Sequence, residues 1–242
     1  MKTLIKNEQI GYEVLVEEPY KNQPMIVIFP GGGYHHLSTR EAEPVANKFL
    51  SFGYNVAIVK YSVAPHADFI QLKQGLEVVE LLSKTYKKIV VCGFSAGGHL
   101  AGLIATEKAK NNIKAMILCY PVITLCDKTH LGTRTNLLAN GNDTLENRKK
   151  YSIDQRVDTN TVPCFIWTTK TDNSVPYENT LMMIEALSKH NVFHKYHLFE
   201  KGPHGMALAD ETAIKDGDTS FVDKEVAKWP DMANNFLKET LK

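Results

Sequence analysis

Short apolar blocks alternate with helically spaced apolar positions along most of the chain. Met25–Phe29 (MIVIF), Val56–Val59, Ile89–Val91, Lys114–Tyr120 (KAMILCY) and Pro163–Thr168 (PCFIWT) are apolar at nearly every position. Blocks of this length predict strands buried on both faces. His194–Phe199 reads as a last strand, and Tyr12–Val16 alternates weakly, as a first strand or hairpin arm does. Between the blocks, Pro44–Phe52 sets Val45, Ala46, Phe49 and Leu50 on one helical face, closed by Gly53. Ile70–Leu82 and Tyr177–His190 repeat the helical spacing with Leu72, Leu76, Val79 and Leu82, and with Leu181, Ile184 and Leu187. Lys224–Leu241 predicts a final helix that Pro230 must start or kink. Strands separated by helices mean βαβ units, hence an α/β fold with a mostly parallel sheet and helices on both faces. The pattern dissolves over 126–161, where Asn140-Gly141-Asn142-Asp143 marks a turn and short helices are expected near Thr135–Ala139 and Leu145–Lys150. This stretch reads as a polar insertion or lid near the carboxyl ends of the strands, inside one domain covering residues 1–242.

Composition narrows the function classes. A chain of 242 residues with 43% hydrophobic content suits one large α/β domain. A net charge of +1 supplies no electrostatic drive toward nucleic acid or an acidic membrane surface. No apolar run approaches membrane-spanning length, and the first residues, MKTLIKNEQIGYEVLV, have no apolar signal region. A cytoplasmic protein is expected. Cys92, Cys119 and Cys164 lie in strand-like runs, Cys126 lies at a segment edge, and no two have CxxC spacing. Free thiols are therefore expected, rather than disulfides or a zinc site. The 9 histidines are scattered, and the pair His35-His36 has no partner at metal-ligand spacing, so no metal is expected.

The chemistry concentrates in Lys88–Ile104, KIVVCGFSAGGHLAGLI. A buried strand, the pattern Gly93-Phe94-Ser95-Ala96-Gly97 and a helix follow one another, which is the setting of a nucleophile elbow. A plain glycine/serine turn between strand and helix is the bland alternative. In an elbow Ser95 would stand on a sharp turn, and the Ala96 N–H at the helix start would face a developing oxyanion. A serine hydroxyl attacks only when a base takes its proton, and in this architecture the acid and base follow in the order Asp/Glu, then His. Asp172 lies just past strand 163–168 in a polar loop, where a capping aspartate is the alternative. His204 lies in Gly202-Pro203-His204-Gly205, past strand 194–199. Of the other histidines, His194 and His197 fall within a strand, His190 ends a helix, and His99 sits on the helix after the elbow, where local packing suits it. Gly31-Gly32-Gly33 also follows a strand, and Gly32 and Gly33 are candidate oxyanion donors beside Ala96. A phosphate loop is the rival, but neither Gly-Lys-Ser/Thr nor G-x-G-x-x-G is present.

Together these pieces resemble the α/β-hydrolase fold, and within it the esterase/lipase group related to hormone-sensitive lipase and the bacterial acetyl esterases, including acetylxylan-esterase-like enzymes. The resemblance runs from about Met25 to Pro230. It is carried by Pro30-Gly31-Gly32-Gly33-Tyr34, Tyr61-Ser62-Val63-Ala64-Pro65, Gly93–Gly97 with Gly98-His99-Leu100-Ala101, Asp172 with Val175-Pro176, and Gly202–Gly205. It implies a Ser95–Asp172–His204 triad and oxyanion donors at Gly32, Gly33 and Ala96, with no metal or organic cofactor. Pro30 replaces the His that often opens the glycine motif, and Ser62 replaces a common Arg or Lys. The long helical cap of larger relatives is missing, which implies a pocket covered mainly by 126–161 and 203–222.

The leading expectation is a serine carboxylesterase for short acyl, above all acetyl, esters, with O-acetylated sugars or xylan fragments as possible small-molecule substrates. An amidase or peptidase with the same triad, like kynurenine formamidase, is the alternative. A non-catalytic ligand-binding homologue stands behind both, although such proteins usually lose a triad member. Tyr34, His35 and Phe69 are candidate pocket residues, with His36 beside them. Equally, the tyrosine could be plain packing and the histidines solvated. Trp229 and Phe236 on the last helix are candidates for a homodimer contact.

Overall fold

The computed structural model describes residues 1–7, 11–66, 69–107 and 112–242. Its centre is an eight-stranded sheet built from β1 (Lys2–Asn7), β2 (Tyr12–Glu17), β3 (Met25–Phe29), β4 (Asn55–Lys60), β5 (Ile89–Phe94), β6 (Ile113–Cys119), β7 (Cys164–Thr169) and β8 (His194–Phe199). The order across the sheet is β1-β2-β4-β3-β5-β6-β7-β8. β2 pairs antiparallel with β1 and β4, and the remaining pairs are parallel. The parallel strands are joined through α1 (Glu43–Ser51), α2 (Ile70–Ser83), α3 (Ser95–Ala105) and α6 (Glu178–Lys189), and α7 (Trp229–Thr240) ends the fold.

Alternation along the strands divides the core in two. Met25, Val27 and Phe29 of β3 face a cluster that takes in Val79 and Leu82 of α2, Leu100 and Ile104 of α3, and Leu187 of α6. Ile26 and Ile28 face the opposite cluster, with Phe49 of α1 and Trp229 and Phe236 of α7. A strand with helices on both sides must be apolar at every position, which is why β3, β5 and β7 are buried throughout. β8 lies at the sheet edge, is half exposed, and carries the more polar HKYHLF.

The structure departs from the sequence reading at four places. Lys2–Asn7, too polar to register as a strand, is held as one by pairing with β2. The last helix starts at Trp229, with Pro230 in its first turn, where the missing N–H costs no intrahelical bond. Trp229 and Phe236 are buried in the chain's own core, so neither side chain is available for a dimer contact. Within 126–161, α4 runs over Leu131–Leu137, earlier than expected, because His130 caps it and Asn140-Gly141 turns left-handed behind it. α5 (Leu145–Lys150) follows. Leu137, Leu138, Ile153 and Val157 of this segment are buried in the same cluster as α3, so the segment is seated on that helix.

All four cysteines are unpaired. Among the described residues, no helix is long and apolar enough to cross a membrane.

Candidate active site

Ser95 is the first residue of α3, directly after β5. Its φ is +53°, in the left-handed region that an ordinary L-residue enters only under constraint. The constraint is close packing. A Cβ on Gly93 would stand 2.2 Å from the Gly97 carbonyl oxygen, and one on Gly97 would stand 2.1 Å from the Phe29 carbonyl oxygen. Strand, turn and helix can meet here only because both flanking residues lack a side chain.

Two loops bring groups from distant parts of the chain to this turn. His204 Nε2 lies 2.8 Å from Ser95 Oγ, and His204 Nδ1 lies 2.7 Å from Asp172 Oδ2. Asp172 Oδ1 accepts from the N–H groups of Ser174 and Val175, so the loop after β7 fixes the carboxylate by its own backbone. The Asp172 side chain is 1% exposed and that of His204 18%. An ionised carboxylate is acceptor-only, so Nδ1 carries the proton it donates to Asp172, and Nε2 is left to accept from the serine hydroxyl. A hydroxyl, imidazole and carboxylate in this order can draw the serine proton off during attack on a carbonyl.

The glycine loop after β3 runs against the same turn: a Cβ on Gly31 would stand 3.0 Å from Ser95 Cβ. Its carbonyls are occupied. Gly31 O accepts from Ser38 N, Gly32 O from His35 N and His36 N, and Gly33 O from Asn136 Nδ2. The Gly32 and Gly33 N–H groups have no acceptor among the described residues. Ala96 N–H belongs to the first turn of α3, where intrahelical acceptors are missing. These donors belong to the two segments that meet at Ser95.

Several supporting residues carry no signal in the sequence. Glu41, 3% exposed, accepts from Gly31 N at 2.7 Å and from the Tyr120 hydroxyl at 2.7 Å. Tyr120 in turn accepts from Ala207 N and packs its ring edge-on to His204, with centroids 5.1 Å apart. His130 and Asn136 come from the polar segment. Only a fold places them beside the glycine loop, because nothing in their local sequence marks them.

Of the candidate pocket residues, Tyr34 needs correction. Tyr34 lines no open pocket: it is fully buried, its hydroxyl donates to His99 Nδ1 at 3.0 Å, and its ring packs edge-on to Tyr61. His35 and His36 are exposed and pack on each other. Phe69 stacks on Tyr151 at 3.7 Å and borders a surface groove with Leu72 and Leu76. His99 packs locally, as its place in the sequence suggests. Burial lowers its pKa to about 4, so it is neutral, donating from Nε2 to the Tyr151 carbonyl. A cleft of about 710 Å³ opens at the opposite end of the sheet, lined by Pro24, Asn55 and Lys88, away from the Ser95 turn.

The sheet order and the strand–turn–helix at Ser95 define a member of the α/β-hydrolase class. The chain belongs to the BD-FAE family, whose model matches residues 14–187. It is 32% identical over 223 residues to endo-1,4-beta-xylanase B of Butyrivibrio fibrisolvens, covering 83% of this chain and 35% of that protein. It is 29% identical over 201 residues to an acetylxylan esterase of Xylanibacter ruminicola, covering 76% of this chain and 41% of the relative. The chain thus spans well under half the length of these curated relatives. Among solved structures, an acetyl ester-xyloside bifunctional hydrolase from Caldicellulosiruptor lactoaceticus superposes with a TM-score of 0.85 at 29% identity, covering 98% of this chain and 94% of the other.

Proposed function

We propose that this chain is a serine carboxylesterase that removes short acyl groups, acetyl above all, from small sugar esters. The observation that carries the reading is the relay from Ser95 Oγ through His204 to Asp172, with contacts of 2.8 and 2.7 Å. Ser95 attacks the ester carbonyl while His204 Nε2 takes the hydroxyl proton. The carbonyl oxygen becomes an oxyanion facing the N–H groups of Gly32, Gly33 and Ala96. His204 then returns the proton to the departing alcohol, leaving an acyl-serine. Water, deprotonated by the same imidazole, releases the acid. Asp172 holds the tautomer and balances the imidazolium.

The acetyl and sugar preference leans on the relatives, one described as an acetylxylan esterase and one as an acetyl ester-xyloside hydrolase. The test is hydrolysis of p-nitrophenyl acetate by the wild type and by Ser95→Ala, with fluorophosphonate labelling followed by mass spectrometry. Turnover in the wild type, its loss in the variant and a label on Ser95 are expected. Wild-type turnover that survives Ser95→Ala would refute the assignment.

A further inference from the structure

The cleft at the end of the sheet opposite Ser95 takes lysines from three separate parts of the chain. Lys21 comes from the turn between β2 and β3, Lys87 and Lys88 from the segment entering β5, and Lys238 from α7. All four are exposed. Among the described residues none of them pairs with a carboxylate. Lys88 donates to the Leu241 carbonyl, which leaves its charge uncancelled. Glu18, whose carboxylate also lines the cleft, is already engaged by Lys2 Nζ at 2.6 Å and by the Tyr86 hydroxyl. The whole chain carries a net charge of only +1, so this gathering of like charge is local.

The floor of the cleft is fixed. Asn55 opens β4 as a polar residue at a position only 1% exposed. Its Oδ1 accepts from Tyr20 N at 3.0 Å, and its Nδ2 donates to Tyr20 O at 2.8 Å and to Gln23 O at 3.3 Å. Asn55 N donates to Pro24 O and Met25 N to Lys88 O, both at 3.0 Å. The turn that bears Lys21 is thereby held to the starts of β4 and β5. A turn-pinning asparagine accounts for this floor, but not for the ammonium groups around it. Scattered surface lysines need no ligand. Four of them around one concavity of about 710 Å³ repel one another. They also lie close enough, against a screening length of about 8 Å, to act on a single bound anion.

We infer that this cleft is a binding site for a compact polyphosphate, an organic or inorganic di- or triphosphate. Its volume falls within the range of small-molecule sites, about 300–1,000 Å³. No arginine lines it, so the flat two-pronged grip on a single carboxylate is missing, whereas ammonium groups act as point charges on a phosphate chain. A ligand with several charges in a short length meets lysines from all three segments at once. The site is separate from the ester chemistry. The length of β5 sets Lys88 about 20 Å from Ser95, beyond the reach of screened charge. The inference therefore stands apart from the esterase reading.

The test is isothermal titration of the full chain with tripolyphosphate and, separately, with ATP, in magnesium-free buffer. Saturable binding with a Kd of about 100 μM or below is expected for at least one of them, weakening as salt is raised. Lys87→Ala combined with Lys238→Ala removes two exposed ammonium groups and is expected to weaken binding about tenfold, with an unchanged melting curve. Lys87→Gln with Lys238→Gln, which keeps most of each side-chain stem, repeats the measurement should the alanine variant melt lower. Lys149→Ala combined with Lys189→Ala removes the same charge outside the cleft and is expected to leave the affinity within about twofold. Tighter binding of ATP assigns an organic phosphate to the site, and tripolyphosphate binding at least as tightly assigns the phosphate chain alone. Absence of saturable binding by both probes, or equal losses in the cleft and control variants, would overturn the site.

Discussion

Glu41 Oε1 accepts the phenolic proton of Tyr120 at 2.7 Å, beneath the loop that carries His204. The other carboxylate oxygen holds Gly31 N, and the Tyr120 oxygen holds Ala207 N. One buried side-chain pair therefore joins the glycine loop to the histidine loop, two segments more than 150 positions apart in sequence. Neither Asp172 nor Ser95 takes part, so this tie positions the two loops independently of the relay itself.

Glu41→Gln is expected to break that tie. An amide presents one oxygen and one NH₂ where two oxygens accepted, so either Gly31 N–H or the Tyr120 hydroxyl faces a donor. An unsatisfied buried group costs about 1–3 kcal/mol, readable as a lower midpoint in urea unfolding. Misplaced loops should also lower kcat on p-nitrophenyl acetate about ten- to a hundredfold, with KM much less affected. Tyr120→Phe removes the acceptor for Ala207 N and should act in the same direction. Wild-type kcat in both variants would show that the tie is irrelevant to catalysis.

His99 predicts an acid sensitivity. Its pKa is lowered from 6.5 to about 4 by burial, because a charged ring cannot be solvated between Tyr34 and the Tyr151 carbonyl. The unfolded chain binds a proton near pH 6.5 and the folded chain does not. This contribution to stability is therefore complete above pH 6.5 and is lost as pH falls toward 4. Between pH 7 and pH 5 the loss from this one group is about 2 kcal/mol. His99→Gln, which cannot titrate, should flatten that slope in urea unfolding at the two pH values. An equally steep slope in the variant would assign the acid sensitivity elsewhere.

Gly97→Ala tests the elbow's packing. The new methyl would stand 2.1 Å from Phe29 O and 2.3 Å from Pro30 O, both backbone atoms that cannot swing aside. A loss of at least about 3 kcal/mol is expected, together with displacement of the glycine loop and loss of esterase turnover. A variant with wild-type stability would mean that the strand, turn and helix are less tightly joined than this spacing requires.

The parallel strands and the helices between them were legible because their burial follows from local pattern. β3 is apolar at all five positions, since helices cover both of its faces, and α1, α2 and α6 show one apolar stripe each. Ser95, Asp172 and His204 stood out because each follows a strand in chain order, with glycine, proline or polar residues around it. β1 was not legible, because an edge strand stabilised by its partner's backbone needs no apolar block. Tyr34 is ambiguous in the sequence for a related reason. An aromatic residue after three glycines suits a pocket wall or a core equally, and only His99, 65 positions away, settles which.

By itself, then, the sequence determined the layered α/β architecture and the turn that carries Ser95, because periodicity and glycine sterics act over a few neighbouring residues. Tertiary structure alone decided how the segments carrying Ser95, Asp172 and His204 converge within hydrogen-bonding distance, and that a buried Glu41–Tyr120 pair ties the glycine loop to the histidine loop. Such contacts join residues tens to over a hundred positions apart. Their energy is realised only once the sheet has set the distance between its strand ends, so no local pattern can announce them.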